Sequence, residues 1–129
     1  MNRQKLATAA VTLIALLGIN VALESPAAAA CTPNDIVLQT YKSGNWIDGR
    51  ASMPTCGDAS RSSTLTLQRS RWYGWEDLGY GTVYGDGYWY YVSYNCAGTG
   101  THEFRTIATG GTVGGVGYVR ESNHITVTC

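Results

Sequence analysis

From residue 31 onward apolar and polar positions alternate with a period of two, and β-branched and aromatic residues are frequent. No stretch keeps the 3.6-residue period of an amphipathic helix. The pattern predicts strands over Ile36 to Tyr41, Trp46 to Met53, Ser63 to Arg69, Leu78 to Tyr84, Tyr88 to Cys96, Thr101 to Ala108 and Ile125 to Cys129. About seven short strands in one domain make an all-β sandwich the expected fold. Ser43-Gly44-Asn45 and Gly85-Asp86-Gly87 read as tight hairpin turns, and Thr109 to Gly117 (TGGTVGGVG) as a glycine-rich loop. No helix follows that loop to aim its N-terminus at a phosphate, so a phosphate cradle is not expected.

Alternation also sorts side chains by face. In the run from Tyr88, one face takes Tyr88, Tyr90, Val92, Tyr94 and Cys96, and the other Trp89, Tyr91, Ser93 and Asn95. In the last strand Ile125, Val127 and Cys129 share a face. With Val92, Ile125 and Val127 in the core, Cys96 and Cys129 turn inward together. Four cysteines allow three pairings, and this argument favours Cys96 with Cys129, which leaves Cys31 with Cys56.

The N-terminal segment has a different character. Arg3 and Lys5 precede an apolar run from Ala7 to Leu23, closed by Glu24, Pro26 and the small residues Ala27 to Ala30. That order is the mark of a secretory leader, so residues 1–30 are expected to be cleaved and 31–129 to form one domain. Lipidation of Cys31 is the competing reading, but it would leave an odd number of cysteines in an exported chain. Paired cysteines fit the oxidising space outside the cell. The cysteine spacings lack a C-x-x-C or His-containing pair, so no metal is expected, and no cofactor motif is present.

The 129 residues balance nine Lys and Arg against nine Asp and Glu. Without Arg3, Lys5 and Glu24 the remainder carries a net charge of −1, its basic residues scattered singly. Neither nucleic acid nor a membrane surface is an expected partner for such a domain.

The stretch Ser63 to Arg105 resembles a secreted immunoglobulin-like domain common in actinobacterial exported proteins. The matching residues are Leu65-Thr66-Leu67-Gln68-Arg69, Trp75 and Leu78, Gly87-Tyr88, Gly98-Thr99-Gly100-Thr101 and Phe104-Arg105. The resemblance implies a small immunoglobulin-like β-sandwich used as a binding or spacer module, with no catalytic residues to carry over.

Catalytic chemistry finds little material. His102 and His124 are the only histidines, G-x-S-x-G is absent, and two disulfides would leave no thiol. Glu76-Asp77 is read as a solvated turn, since neighbouring carboxylates in a strand point to opposite faces and cannot converge on one glycosidic bond. The chain is therefore not expected to be an enzyme.

The unusual feature is ten Trp and Tyr residues between Trp72 and Tyr94. A thin sandwich buries about half of such a set. Trp89 and Tyr91 are expected to form an outward contact surface, extended by Trp72 and Tyr73 with Arg71 at its rim, and an extracellular protein is the expected partner. Two further readings stand beside it. Trp89, Tyr91 and Ser93 could serve a carbohydrate, and Arg71-Trp72-Tyr73 is reminiscent of the exposed Trp-Arg-Tyr triplet of small two-bridge α-amylase inhibitors. In size and organisation the domain also resembles secreted adaptor subunits that link lectin and toxin chains.

Overall fold

The computed structural model describes residues 32–56, 61–111 and 117–129. A 3-10 turn, Pro33–Asp35, is held by the Asp35 carboxylate, which accepts from the Thr32 amide at 2.9 Å. Eight strands follow: β1 Val37–Ser43, β2 Trp46–Ser52, β3 Ser62–Arg71, β4 Gly74–Tyr84, β5 Trp89–Asn95, β6 Thr101–Gly111, β7 Gly117–Glu121 and β8 Ile125–Thr128.

They form two antiparallel sheets. Sheet A has the order β1-β2-β5 and sheet B the order β4-β3-β6-β7, with β8 also paired to β6. β7 covers Ile107 to Gly111 of β6 and β8 covers Thr101 to Phe104, so the two strands share one edge. Ile47, Ala51 and Val92 from sheet A meet Leu65, Leu67, Val83, Phe104 and Ala108 from sheet B in a single core. The bridge Cys96–Cys129 joins the end of β5 to the end of β8, as alternation predicts, with its Cα atoms 5.5 Å apart. The other expected bridge involves Cys31, which lies outside the described residues, as does the proposed leader.

Close approach of the sheets selects small residues. A Cβ at Gly49 in β2 would overlap the Thr106 side chain of β6, and one at Gly79 or Gly81 in β4 would lie 3.0 Å from Val92 of β5. The space opposite Gly49 holds a polar chain: Thr40 Oγ1 lies 2.6 Å from Thr106 Oγ1 and 2.8 Å from Ser122 Oγ. Asn123 completes this seam, its Oδ1 accepting from the Thr40 amide at 3.0 Å and its Nδ2 donating to the Thr40 carbonyl at 2.9 Å.

Several expectations are corrected. The described residues form eight strands, because β7 begins at Gly117 and β6 runs to Gly111, at the two ends of the stretch read as a loop; residues 112–116 lie outside the described set. Gly44-Asn45 is the two-residue hairpin loop between β1 and β2. Gly85-Asp86-Gly87, by contrast, carries the chain from β4 in sheet B to β5 in sheet A, because β4 pairs with β3 and β5 with β2. Tyr88 precedes β5 and is exposed, so the inner-face period begins at Tyr90. Glu76-Asp77 lies inside β4, where the two carboxylates do point to opposite faces: Glu76 to Arg69 at 2.7 Å, Asp77 to Gln68 Nε2 at 2.7 Å.

Candidate functional site

Phe104 is the one aromatic ring among the fully buried side chains of the described residues. The Trp and Tyr residues lie at or near the surface, and the candidates from sequence fall in two separate groups.

The first group stands on the outer face of sheet A. Ile47, Gly49 and Ala51 point inward from β2, so Trp46, Asp48, Arg50 and Ser52 point outward. Tyr90, Val92 and Tyr94 are the inner side chains of β5, which leaves Trp89 (40% exposed) and Tyr91 (53%) outside, as the sequence pattern indicates. The register places Tyr91 beside Arg50 and Arg50 beside Gln39. The Arg50 guanidinium donates to Gln39 Oε1 at 2.9 and 2.6 Å while lying over the Trp89 ring, 4.3 Å from its centroid, and near Tyr41 at 5.5 Å. Ser93 donates to Asp48 Oδ1 at 2.5 Å. Tyr41, Trp46, Gln39, Asp48 and Arg50 were not among the candidates from sequence. The signal that could have found them is the period of two in β1 and β2, once those strands are known to share a sheet with β5.

The second group is the tip of the β3–β4 hairpin. Arg71 pairs with Gly74, so Trp72 and Tyr73 form a two-residue loop. The β3–β6 ladder stops at Arg69 and Phe104, and the last two rungs of the hairpin run on without β6. Trp72 is 95% exposed and Tyr73 58%, their rings edge to face at 5.4 Å. Glu76 holds the base of the hairpin, taking Arg69 at 2.7 Å and Arg71 at 3.2 Å. Hydrogen bonding from Arg69 keeps the Glu76 carboxyl below its ordinary range. Arg69 also reaches Tyr94 of sheet A, donating to its hydroxyl at 3.4 Å, which ties the hairpin to the rest of the fold.

The structure does not bring these groups together. Tyr90 packs on Tyr84 near the β4–β5 connection, Val92 packs on Gly79 and Gly81, and Tyr94 meets Arg69 toward the hairpin tip. β5 and β4 therefore run in opposite directions across the sandwich. Trp89 lies at one end, and Trp72, Tyr73 and Arg71 lie beyond the other.

A third cluster covers the outer face of sheet B. Tyr80 donates to Asp77, Gln68 joins Asp77 to Arg105 at 2.7 and 2.8 Å, and Arg105 continues to Glu121 at 3.0 Å beneath the Trp75 ring, 4.0 Å from its centroid. His124 sits between Glu121 and Glu103, its Nδ1 2.7 Å from Glu103 Oε1. The two carboxylates, Glu121 foremost, raise the His124 pKa, and His124 lowers that of Glu121. The stabilisation from His124 is thus complete below its ordinary value and lost as pH rises through the raised one; that from Glu121 is lost as pH falls through its lowered one. All three groups are well exposed, so the effect is small. Melting temperature should fall on the alkaline side of the His124 titration, and His124→Gln should remove that fall. His102 is engaged elsewhere, its Nε2 2.9 Å from the Thr99 carbonyl.

Among the described residues no set of three or more His, Cys, Asp or Glu could hold a metal ion, and no helix is long and apolar enough to cross a membrane. The class defined by fold and surface is an all-β protein of two packed sheets with aromatic side chains turned outward. No protein-family model, no curated protein and no solved structure matches the chain.

Proposed function

We propose that the chain is an exported, non-catalytic binding module whose β3–β4 hairpin tip enters a concave site on another extracellular protein. The observation that carries this reading is Trp72, 95% exposed on a two-residue turn. An indole held wholly in water adds almost nothing to folding, while its burial in a partner pocket removes a large apolar area from water. Its loop is only two residues long and is braced at the base by Arg69, Arg71 and Glu76, so little conformational freedom is lost on docking. Projecting shape is the reason to expect a pocket rather than a flat partner.

The two-sheet, all-β architecture supports kinship with immunoglobulin-like sandwiches, and Cys31 with Cys56 is the second bridge of this reading. An adaptor that holds one secreted chain against another needs nothing more. Presentation of Arg71-Trp72-Tyr73 at a hairpin tip favours one narrower version, in which the pocket is the cleft of a secreted enzyme and the module inhibits it.

The test is capture of the partner from spent medium, its identification by mass spectrometry and titration of the purified pair. Trp72→Ala should weaken binding by at least about 2 kcal/mol, roughly thirtyfold, with the melting temperature unchanged. Wild-type affinity in that variant would overturn the reading. If the partner is a hydrolase, its turnover should fall on addition of the wild-type protein and not of Trp72→Ala.

A further inference from the structure

We infer that the outer face of sheet A is a second, independent site that binds an uncharged polysaccharide chain. Three strands of seven residues each present their outward side chains in rows fixed by the β1–β2 and β2–β5 registers. Trp89 and Tyr91 are successive outward residues of β5, about 7 Å apart along the strand. Tyr41 on β1 and Trp46 at the start of β2 carry the aromatic surface across the sheet.

The interior of this face is polar. Arg50 and Asp48 occupy the middle of the central strand, bonded to Gln39 and Ser93 on either side. A protein hot spot has the opposite layout, an apolar centre that excludes water inside a polar rim. A sugar chain needs what is found here. The C–H faces of its rings stack on aromatic rings, and its hydroxyls bond in pairs to a planar guanidinium, a carboxylate and an amide. Those groups are already fixed: the guanidinium is seated on Trp89 at 4.3 Å and held by two bonds to Gln39.

Charge selects the class of glycan. Arg50 and Asp48 are the only ionic side chains that the three strands turn outward, and they cancel. The face offers no electrostatic hold on a polyanion, and the complementary ligand is neutral.

The test uses affinity electrophoresis of the purified protein in gels containing soluble starch, mixed-linkage β-glucan or galactomannan, with pull-down on cellulose and chitin. Retention on at least one of these is expected. Tyr91→Ala and Trp89→Ala should each weaken it tenfold or more, while Trp72→Ala stays within twofold of wild type. Arg50→Lys keeps the charge but not the planar fork, and its loss of retention reports the same site even if an aromatic variant folds poorly. Retention on none of the five materials would overturn the inference, as would equal loss in Trp72→Ala. Because the hairpin tip and this face share no residue, failure here leaves the protein-binding reading standing, and the reverse holds as well.

Discussion

Phe104→Ala is expected to lower folding stability by about 3 to 5 kcal/mol, a large part of what a domain of this size possesses. Phe104 is fully buried in β6, paired across the ladder with Arg69 on one side and Ile125 on the other. Removing its ring leaves a cavity between the sheets that Leu65 and Leu67, fixed in β3, cannot close. Denaturant unfolding at matched pH should show the midpoint displaced strongly for Phe104→Ala and only slightly for Trp72→Ala. A loss below about 1 kcal/mol at Phe104 would place the core elsewhere.

The second large effect concerns the bridge between Cys96 and Cys129. It closes a loop with a sequence separation of 33, for which chain entropy predicts about 4 kcal/mol of stabilisation. The link also joins the two sheets, from the end of β5 to the end of β8. The paired substitution Cys96→Ala with Cys129→Ala should therefore cost about 2 to 5 kcal/mol, read as a lower unfolding midpoint under non-reducing conditions. The loss should add to that of an exposed substitution such as Trp72→Ala, since the two sites share no contact.

The strands and their inward faces were legible where the period of two was clean. Val92, Cys96 and Cys129 turn inward and Trp89 and Tyr91 outward because one buried face forces that alternation on any strand in its register. What failed depended on which strands pair, and the pattern of a single strand does not show that. Gly117 and Gly111 read as loop residues, since glycine weakens a strand taken alone, yet they pair with each other at the far end of the β6–β7 ladder. The acidic pair in β4 looked like a turn because its partners, Arg69 and Gln68, lie across a hairpin with an irregularity between Leu67 and Gln68. Gly85-Asp86-Gly87 has the composition of a hairpin turn, and composition does not reveal that the strands on either side belong to different sheets. Of the candidate site, the outward direction of Trp89 and Tyr91 was legible. The separation of Trp72 and Tyr73 from them was not, because it follows from how β4 doubles back over β5.

The amide of Asn123 has a consequence for life in a crowded solution. β1 is an edge strand of sheet A, and such an edge normally offers its main chain to any neighbouring molecule. At Thr40, in the middle of that edge, both main-chain groups are already taken by one side-chain amide. A single residue from the β7–β8 connection thus caps the main chain at the middle of this edge without adding a strand. Loss of that amide by slow deamidation would replace its donor with an oxygen facing the Thr40 carbonyl. The repulsion would release the Thr40 main chain, so that chemical ageing at one side chain would reopen the middle of this edge.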